Sequence, residues 1–141
     1  MFKFIWLEGN DDLKDAYEIR NQVFVIEQNV PKEIEKDSKD KISKHIVIYE
    51  ENFPIATGRI VVENSSCSFG RISIIKKYRG KGIGLYLVEN MIKEATKIGI
   101  KEIYIHAQKY AEEFYKKLNF KSFGEVFYEG GIEHINMVLK L

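Results

Sequence analysis

The sequence predicts an α/β fold of the α+β kind, in which a mixed sheet carries helices on its faces. Short runs rich in β-branched and aromatic residues recur along the chain, and three segments carry apolar residues at helical spacing. Their order is β-α-β-β-β-α-β-α-β-β, which is typical of a mixed sheet. The length of 141 residues is that of one ordinary domain, so we expect a single domain over residues 1–141.

Composition and charge restrict the class of protein. Apolar residues make up 45% of the chain and charged residues 30%, the profile of a soluble globular protein rather than a disordered one. The formal net charge is only +1, so we expect no nucleic-acid or membrane partner, because both usually need a concentrated basic face. The one cysteine, Cys67, excludes an internal disulfide; we expect a small buried residue and a cytoplasmic protein. The N-terminal segment has no long apolar run, so we expect neither a signal peptide nor a membrane span.

The first strand is predicted in FKFIWL, residues 2–7, and a helix is predicted after it over residues 11–28. Asn10 or Asp11 is the expected cap of this helix. The β-branched run VFVIE near its end is expected to loosen it, and Pro31 ends it. The stretch PKEIEKDSKDKISK that follows is rich in charges of both signs, so we expect an exposed loop there.

The rest of the chain is predicted to form six strands and two helices. In chain order these are strands at residues 45–51, 55–63 and 67–75, a helix from about Gly82 to Gly99, a strand at 101–107, a helix at 110–120 and a closing hairpin of strands 121–130 and 132–141. Gly58 is expected to mark a β-bulge, and Gly130 and Gly131 are expected at the hairpin turn.

A basic, glycine-dense loop, KKYRGKGIG, leads from the strand RISII into the second long helix. The first N–H groups of a helix have no partner, and the helix dipole adds partial positive charge there, so such an end suits a phosphate. Gly80, Gly82 and Gly84 have no Cβ and let an anion approach the backbone, while Arg79 and Lys81 supply charge. Because several N–H groups point to one place, a pyrophosphate fits better than a single phosphate.

Other interpretations of this loop stay open. A Walker A loop needs Ser or Thr after its Gly-Lys pair, but Gly82 follows Lys81. A Rossmann fingerprint needs a glycine where Leu85 stands, which weakens that interpretation as well. The remaining alternatives are a solvated basic turn that only caps the helix and an unrelated nucleotide-binding domain.

The loop and a downstream segment together resemble the GNAT N-acetyltransferase superfamily. RGKGIG matches its Arg/Gln-x-x-Gly-x-Gly/Ala signature, with Arg79, Gly82 and Gly84 at the marked positions. AQKYAEEFYKKLNF is similar to its Asn-x-x-Ala-x-x-Phe-Tyr-x-x-x-Gly-Phe segment, although Gln108 stands at the Asn position and Asn119 replaces the Gly. The stretches IRNQVFVIEQNVP, ATGRI and GGIEHINM look like a small bacterial branch of this family, the YjcF-like acetyltransferases.

The resemblance implies a mostly antiparallel mixed sheet of about six to seven strands, flanked by about four helices and splayed between the strands at 69–76 and 101–107. It also implies acetyl-CoA as co-substrate. The pyrophosphate would lie on the glycine loop, and the pantetheine arm would enter the splay and pair with backbone groups there. The coenzyme-binding residues implied in this way are Ile74, Ile75, Arg79, Gly80, Lys81, Gly82, Ile83, Gly84, Gln108 and Tyr115.

Acetyl transfer from a thioester to an amine by direct attack needs a neutral amine, a stabilised oxyanion and a proton for the departing thiolate. The resemblance implies Tyr115 as the general acid, with a core aromatic as the alternative role. The backbone N–H of Ile74 is the expected oxyanion donor. Glu27 is the candidate base, because a carboxylate beside apolar residues can have a raised pKa. An exposed helix-end glutamate and a relayed water are the alternatives.

The candidate acceptor-binding residues are Glu27, His45, Arg59 and Arg71. The two arginines stand within apolar strands, and buried arginine is costly unless it is paired. They either meet acidic partners, for which Glu27 and Glu63 are candidates, or bind an acidic or phosphorylated substrate; structural pairing is the preferred interpretation.

Three histidines, His45, His106 and His134, suit proton removal near neutral pH, although a lone histidine in a strand more often has a structural role. No metal site is expected. We predict an N-acetyltransferase that uses acetyl-CoA to acetylate a primary amine of a small molecule or peptide through a ternary complex. A CoA-binding sensor that has lost turnover is the alternative, and the aromatic closing hairpin is a candidate for a homodimer face.

Overall fold

A computed structural model of the chain describes residues 2–141. Within them, seven strands form one sheet and four α-helices accompany it. The strands are β1 (Phe2–Glu8), β2 (Ser43–Glu50), β3 (Phe53–Glu63), β4 (Ser66–Ile74), β5 (Glu102–Gln108), β6 (Lys121–Glu129) and β7 (Ile132–Lys140). The helices are α1 (Lys14–Arg20), α2 (Lys32–Glu35), α3 (Ile83–Lys97) and α4 (Glu112–Lys116). The predicted fold class is confirmed.

The sheet order is β1-β2-β3-β4-β5-β7-β6, and all neighbours are antiparallel except β4 and β5. These two strands are paired through three positions, which end at Phe69 opposite Ile105. Beyond that point β4 continues to Ile74 and β5 to Gln108 without facing each other. The predicted splay between these strands is therefore present in the sheet.

The main core lies between the sheet and α3. The helix presents Leu87, Val88 and Met91 to the strands, and all three are buried. Gly58 of β3 lets the helix approach closely, because a Cβ there would lie 2.8 Å from the sulfur of Met91. No helix within residues 2–141 is both long and apolar enough to cross a membrane.

The β-bulge predicted at Gly58 is found opposite it, on β4. Arg59 pairs with Gly70 and Thr57 pairs with Ser73, so two residues of β4 face Gly58 alone. One of them, Arg71, has a left-handed φ of 52°. The extra residue re-aims the side chains of β4 at the place where this strand leaves β5.

The first helix differs from its predicted form. It is α-helical over Lys14–Arg20 and then widens into a π-helix over Asn21–Glu27, where Gln28 N–H donates to Val23 O five residues back. The loosening expected from the β-branched run is thus confirmed. The predicted caps are wrong, because the Asp12 carboxylate accepts from Lys14 N–H while Asp11 accepts from Glu8 N–H.

The charged stretch at 31–44 was predicted to be an exposed loop, and this is wrong. It contains α2 and a 3-10 helix, Ser38–Ile42, and it buries the carboxylates of Glu35 and Asp40. Carboxylates are buried only when they are paired, and arginines from other elements meet both of them. The closing hairpin, by contrast, forms as expected, with Gly130 and Gly131 at its turn, both at positive φ.

Candidate active site

A cavity of about 470 Å³ opens where β4 and β5 separate. Gly70 and Arg71 line it from β4, and His106 and Gln108 line it from β5. Tyr115 of α4 and Gly130, at the turn of the closing hairpin, also line it. Further lining residues come from the stretch at 31–44, so elements from the whole length of the chain meet at this opening.

The glycine loop leads directly into α3. Gly82 is the N-cap of this helix in a left-handed conformation, with φ of 80°, and no side chain caps the helix. The first helical hydrogen bond runs from Tyr86 N–H to Gly82 O at 3.1 Å, so the N–H groups of the three residues between them precede the helical ladder. A Cβ at Gly80 or Gly82 would meet no atom within 4 Å, so the space beside the loop is open.

Gly84 has a different reason to be glycine. A Cβ on it would lie 3.2 Å from Ile74 Cδ1 and 3.5 Å from the ring of Phe114. The first turn of α3 is therefore packed against the end of β4 and against α4. The loop is glycine-rich for two physical reasons: backbone conformation at Gly80 and Gly82, and close packing at Gly84.

Arg79, the charged residue of the loop motif, is already held by two partners. Its Nη1 and Nη2 donate to the carboxylate of Glu27 at 2.6 and 2.8 Å, and its Nε donates to Ile74 O at 2.9 Å. The hydrogen bond from Arg79 lowers the pKa of Glu27, and the charges of Arg79 and Lys76 act in the same direction. The raised pKa expected for Glu27 is therefore wrong, because its neighbourhood is cationic rather than apolar.

The backbone at the end of β4 is only partly available for a ligand. Ile75 N–H donates to Ile55 O of β3 at 2.9 Å, so this amide is used within the protein. Ile74 O accepts from Arg79. A ligand that pairs with Ile74 O in the way expected for the pantetheine arm would have to displace that side chain.

Gln108 lies at the end of β5, and its side-chain amide exchanges two hydrogen bonds with that of Gln28. The distances are 2.9 Å from Gln108 Nε2 to Gln28 Oε1 and 3.2 Å for the reverse bond. Glu27 and Gln28 are adjacent at the end of the π-helix, so this one segment contacts both Arg79 and Gln108. Sequence reasoning assigned no role to Gln28.

Tyr115 has the packing role that was considered for it. Its ring packs edge-on against Phe114 and Phe120, at 5.1 and 5.7 Å between centroids, and the residue is 7% exposed. Burial raises the pKa of its hydroxyl, which keeps the group protonated and able to donate. The residue is also among those that line the cavity, so a core aromatic borders the opening.

Six charged side chains form a cluster beside the cavity, which we term the carboxylate–arginine cluster: Arg20, Glu35, Asp40 and Arg59, which are buried, and Asp37 and Arg71, which are partly exposed. Arg20 donates to Glu35 at 2.6 Å and to Asp40 at 2.8 Å. Arg59 donates through Nη1 to Asp37 at 2.7 Å and to Asp40 at 2.8 Å. Three cations thus meet three anions, which is the condition for burying them together.

The structural pairing preferred for Arg59 and Arg71 is therefore present, with other partners than predicted. Arg71 donates to the backbone O of Glu35 at 2.9 Å and to Asp37 at 3.2 Å. Glu27 instead holds Arg79, and Glu63 lies 3.5 Å from Lys39 at the surface. Both arginines also line the cavity, so the two interpretations are not exclusive.

The cluster shifts the ionisation of its acids. Burial opposes ionisation of Asp37, but hydrogen bonds and charge from Arg59, with charge from Arg71, outweigh it and lower its pKa to about 2. For Asp40 burial likewise acts against the charged form, and the bonds from Arg20 and Arg59 nevertheless lower its pKa. Both acids therefore stay charged throughout the physiological range. Part of the signal was present in the sequence, because Arg59 and Arg71 stand within apolar strands and need acidic partners. Which acids they meet, those of the stretch at 31–44, is visible only in the fold.

The three histidines have different surroundings. His45 is buried, its Nε2 lies 3.0 Å from Asp40 O, and it does not line the cavity, so the structure does not bring this predicted acceptor residue to the site. His106 lines the cavity from β5 and pairs with Glu129 at 3.0 Å, a hydrogen bond that raises its pKa. His134 lines the cavity from β7, although the sequence assigned it no place in the site.

Cys67 is fully buried, and burial raises the pKa of its thiol to about 11. The expectation of a small buried residue is confirmed. Among residues 2–141, no group of three or more His, Cys, Asp and Glu side chains is placed to hold a metal ion.

Comparisons with known proteins agree with this geometry. A family model described as an acetyltransferase (GNAT) domain matches residues 11–141. The uncharacterized N-acetyltransferase YjcF of Bacillus subtilis (strain 168) is 34% identical over 137 residues, which cover 96% of this chain and 98% of that protein. The protein ElaA of Escherichia coli (strain K12) is 30% identical over 125 residues, which cover 85% and 82%.

Solved structures show the same architecture. A protein from Lactobacillus plantarum has a TM-score of 0.90 at 28% identity, covering 99% of this chain and 98% of that one. The crystal structure of Escherichia coli ElaA has a TM-score of 0.89 at 26% identity, covering 98% and 99%. A structure from Elizabethkingia anophelis with acetyl-CoA bound has a TM-score of 0.74 at 16% identity, covering 99% and 98%, which shows a shared fold.

Proposed function

Because the chain belongs to the GNAT acetyltransferase family, we propose that it transfers the acetyl group of acetyl-CoA to a primary amine of a small molecule or peptide. The amine attacks the thioester directly within a ternary complex. The observation that carries the proposal is the separation of β4 from β5 beside the glycine loop, where helix α3 begins without a side-chain cap. This arrangement offers a seat for a pyrophosphate and an opening for an extended amide-bearing arm.

The coenzyme is proposed to lie along the loop from Arg79 to Gly84 and along the end of β4. The open space beside Gly80 and Gly82 leaves room for a phosphate close to the backbone. Lys81 adds charge, and Ile83 contributes one of the N–H groups that precede the helical ladder. Ile74 and Ile75 would line the pantetheine arm, chiefly through carbonyl groups, since Ile75 N–H is already paired.

Arg79 is proposed to change partners when the coenzyme binds. Its guanidinium is paired with Glu27 and also donates to Ile74 O, the carbonyl that the pantetheine arm would need. A pyrophosphate is a stronger anion than one carboxylate, and Arg binds such groups in a bidentate way. Glu27 is thus proposed to hold Arg79 in place until the coenzyme phosphates bind. Because its pKa is lowered, it is a weaker candidate for the general base than an ordinary glutamate would be.

Tyr115 is proposed as the general acid of the reaction. After the amine attacks the acetyl carbon, the tetrahedral adduct collapses, the bond to sulfur breaks, and the thiolate takes the hydroxyl proton. A buried hydroxyl with a raised pKa stays protonated until a strong base such as a thiolate forms beside it. Tyrosine in this position thus needs no metal or covalent intermediate to assist the departure of CoA.

Two measurements test this function. Acetyl-CoA and CoA should raise the melting temperature of the protein, since ligand binding to the native state stabilises it, while ATP and NAD should not. Release of free thiol from acetyl-CoA is then followed with a panel of alkylamines, amino acids, aminosugars and peptides. Protection by ATP or NAD without protection by CoA would contradict the proposal. Binding of CoA without turnover across the panel would indicate a CoA-binding module instead.

A further inference from the structure

His134 stands at the junction of three strands beside the cavity. It pairs with Gln108 of β5 on one side and with Phe127 of β6 on the other. Its ring stacks on that of Phe127, with 5.7 Å between centroids and 28° between planes. The residue is 7% exposed, so its ring is fixed by packing and its remaining exposed surface faces the cavity that it lines.

The hydrogen bond of the ring decides where its lone pair lies. His134 Nδ1 is 2.7 Å from the backbone O of Ile132. A carbonyl oxygen only accepts hydrogen bonds, so Nδ1 carries a proton. In the neutral ring the lone pair must then be on Nε2, which is the arrangement of a proton acceptor held in one orientation.

The Nε2 atom has no hydrogen-bond partner among residues 2–141. Within these residues, the side-chain atom that is both unpartnered and sealed from solvent is Arg59 Nε, so His134 Nε2 keeps some accessible surface. Because the residue lines the cavity, this surface is available to a molecule there. A histidine more than nine-tenths buried, with a bonded Nδ1 and an accessible Nε2, is placed to act on a molecule inside the cavity.

We propose that His134 is the general base that deprotonates the acceptor amine, an inference that rests on the proposed acetyltransferase function. Nε2 takes one proton from the acceptor ammonium, which leaves a neutral amine and an imidazolium. The amine lone pair forms the bond to the acetyl carbon, and the C–S bond breaks when the tetrahedral adduct collapses. Tyr115 gives its proton to the thiolate, and the nitrogen passes its second proton to the tyrosinate, which restores the hydroxyl. The imidazolium then releases its proton to water, so one proton is released for each acetyl group transferred.

The cavity around His134 is lined by titratable groups of both signs. They are Glu35, Asp37 and Lys39 of the charged stretch, Arg59 of β3, Arg71 of β4, His106 of β5, Tyr110, Tyr115 of α4 and Glu129 of β6. The pKa of Glu129 is lowered, first by the hydrogen bond from His106, so it is a carboxylate at neutral pH. The carboxylates of the lining therefore lie in the same cavity as the ring, together with the arginines Arg59 and Arg71.

His106 is the other histidine of the cavity, and less of it is free to accept a proton near neutral pH. Its hydrogen bond to Glu129 raises its pKa, so it is already protonated over a wider pH range than an ordinary histidine is. Its side chain is 58% exposed at the rim, whereas the ring of His134 is packed. His106 is therefore the control for mutation of His134, because it is also a histidine of the same cavity.

The test measures the pH dependence of kcat/KM for the best alkylamine of the panel, in the parent, His134→Gln and His106→Gln proteins. Removal of a general base lowers kcat/KM by about 100-fold or more and removes the acid limb of the pH profile. We expect both effects in His134→Gln, while His106→Gln keeps the acid limb. We also expect added imidazole to restore turnover in His134→Ala, in proportion to its neutral form.

Thermal stabilisation by acetyl-CoA shows in each variant whether the fold and the coenzyme site survive. An acid limb that persists in His134→Gln, or a His134→Ala protein that binds acetyl-CoA but does not respond to imidazole, would overturn the assignment and leave the acetyltransferase function standing. A parent that releases no thiol with any amine would overturn both. A loss of acetyl-CoA stabilisation in both His134 variants would also overturn it, because the residue would then be structural.

Discussion

The glycine loop at the start of α3 and the carboxylate–arginine cluster beside the cavity present charge by different means. The loop offers backbone N–H groups and space, and its side-chain charges are partly exposed. The cluster offers side chains, most of them buried, which are bonded chiefly to one another. The first kind of region is local in sequence and can bind an anion from solution, whereas the second joins distant elements and supports the cavity wall.

The largest expected effect is on the cluster. Asp40 is buried and accepts from both Arg20 and Arg59. Asp40→Asn leaves two buried cations without their shared anion, and breaking such a pairing should lower the free energy of unfolding by about 3 kcal/mol. Urea unfolding measures this. The control is Glu63→Gln, whose partner Lys39 is half-exposed and which should cost less than about 0.5 kcal/mol. Equal losses in both variants would contradict the distinction between buried and exposed pairs.

The next effect concerns the loop. Gly82→Glu places a negative charge where the pyrophosphate is proposed to lie, in a left-handed conformation that already disfavours a side chain. Acetyl-CoA affinity should fall by about 100-fold, which is about 2.7 kcal/mol.

Gly99→Glu is the matched control for this change, because Gly99 has a similar φ of 90° and equally open space at the other end of α3. It should lose stability to the same extent and keep its affinity, measured by calorimetric titration. Unchanged affinity in Gly82→Glu would remove the loop from the coenzyme site.

A smaller effect is expected at Tyr115, which packs against Phe114 and Phe120. Tyr115→Phe keeps the ring packing and removes the proposed proton donor, so kcat should fall by about tenfold, or about 1.4 kcal/mol, with little change in acetyl-CoA affinity. Tyr104→Phe is the control, since that hydroxyl bonds to Glu102 away from the cavity. Parent-like turnover in Tyr115→Phe would leave the residue with a packing role alone.

Acid should act on the cluster through Asp37. Its pKa is about 2 in the folded chain, below its usual value, so the folded state holds fewer protons than the unfolded state in this range. The free energy of unfolding should therefore decrease as the pH falls from about 4 to about 2. In Asp37→Asn the free energy of unfolding should depend less steeply on pH over this range. Some dependence should remain, because Glu112 also has a lowered pKa of about 2. A slope that is the same in Asp37→Asn and in the parent would contradict this.

The smallest effect is expected at the exposed pair that links the π-helix to the loop. Glu27→Gln weakens the hold on Arg79, so acetyl-CoA should bind more tightly, by at most about fivefold, the range of an exposed ion pair. Weaker binding in this variant would mean that Glu27 assists the coenzyme rather than competing with it.

Sequence reasoning reached the loop and not the cluster for a physical reason. The glycines, Arg79 and Tyr115 belong to short segments in which function follows from spacing, so a motif predicts them. The cluster depends on pairings such as Arg20 with Asp40, which are distant along the chain and leave no local pattern. The same holds for Glu27, whose apolar neighbours in sequence predicted a raised pKa, while its neighbour in space is Arg79. His134 was named among three histidines suited to proton removal, but its place beside Gln108 and Phe127 depends on strand register, which sequence spacing does not reveal.

The wide winding of the π-helix over Asn21–Glu27 is as important as the residues in it. If the segment kept its length but wound as an ordinary α-helix, each of its residues would turn further around the axis. Glu27 would then turn away from Arg79, and Gln28 from Gln108, without any change in their identities. Two glutamine amides and one ion pair thus depend on how one short segment of helix is wound.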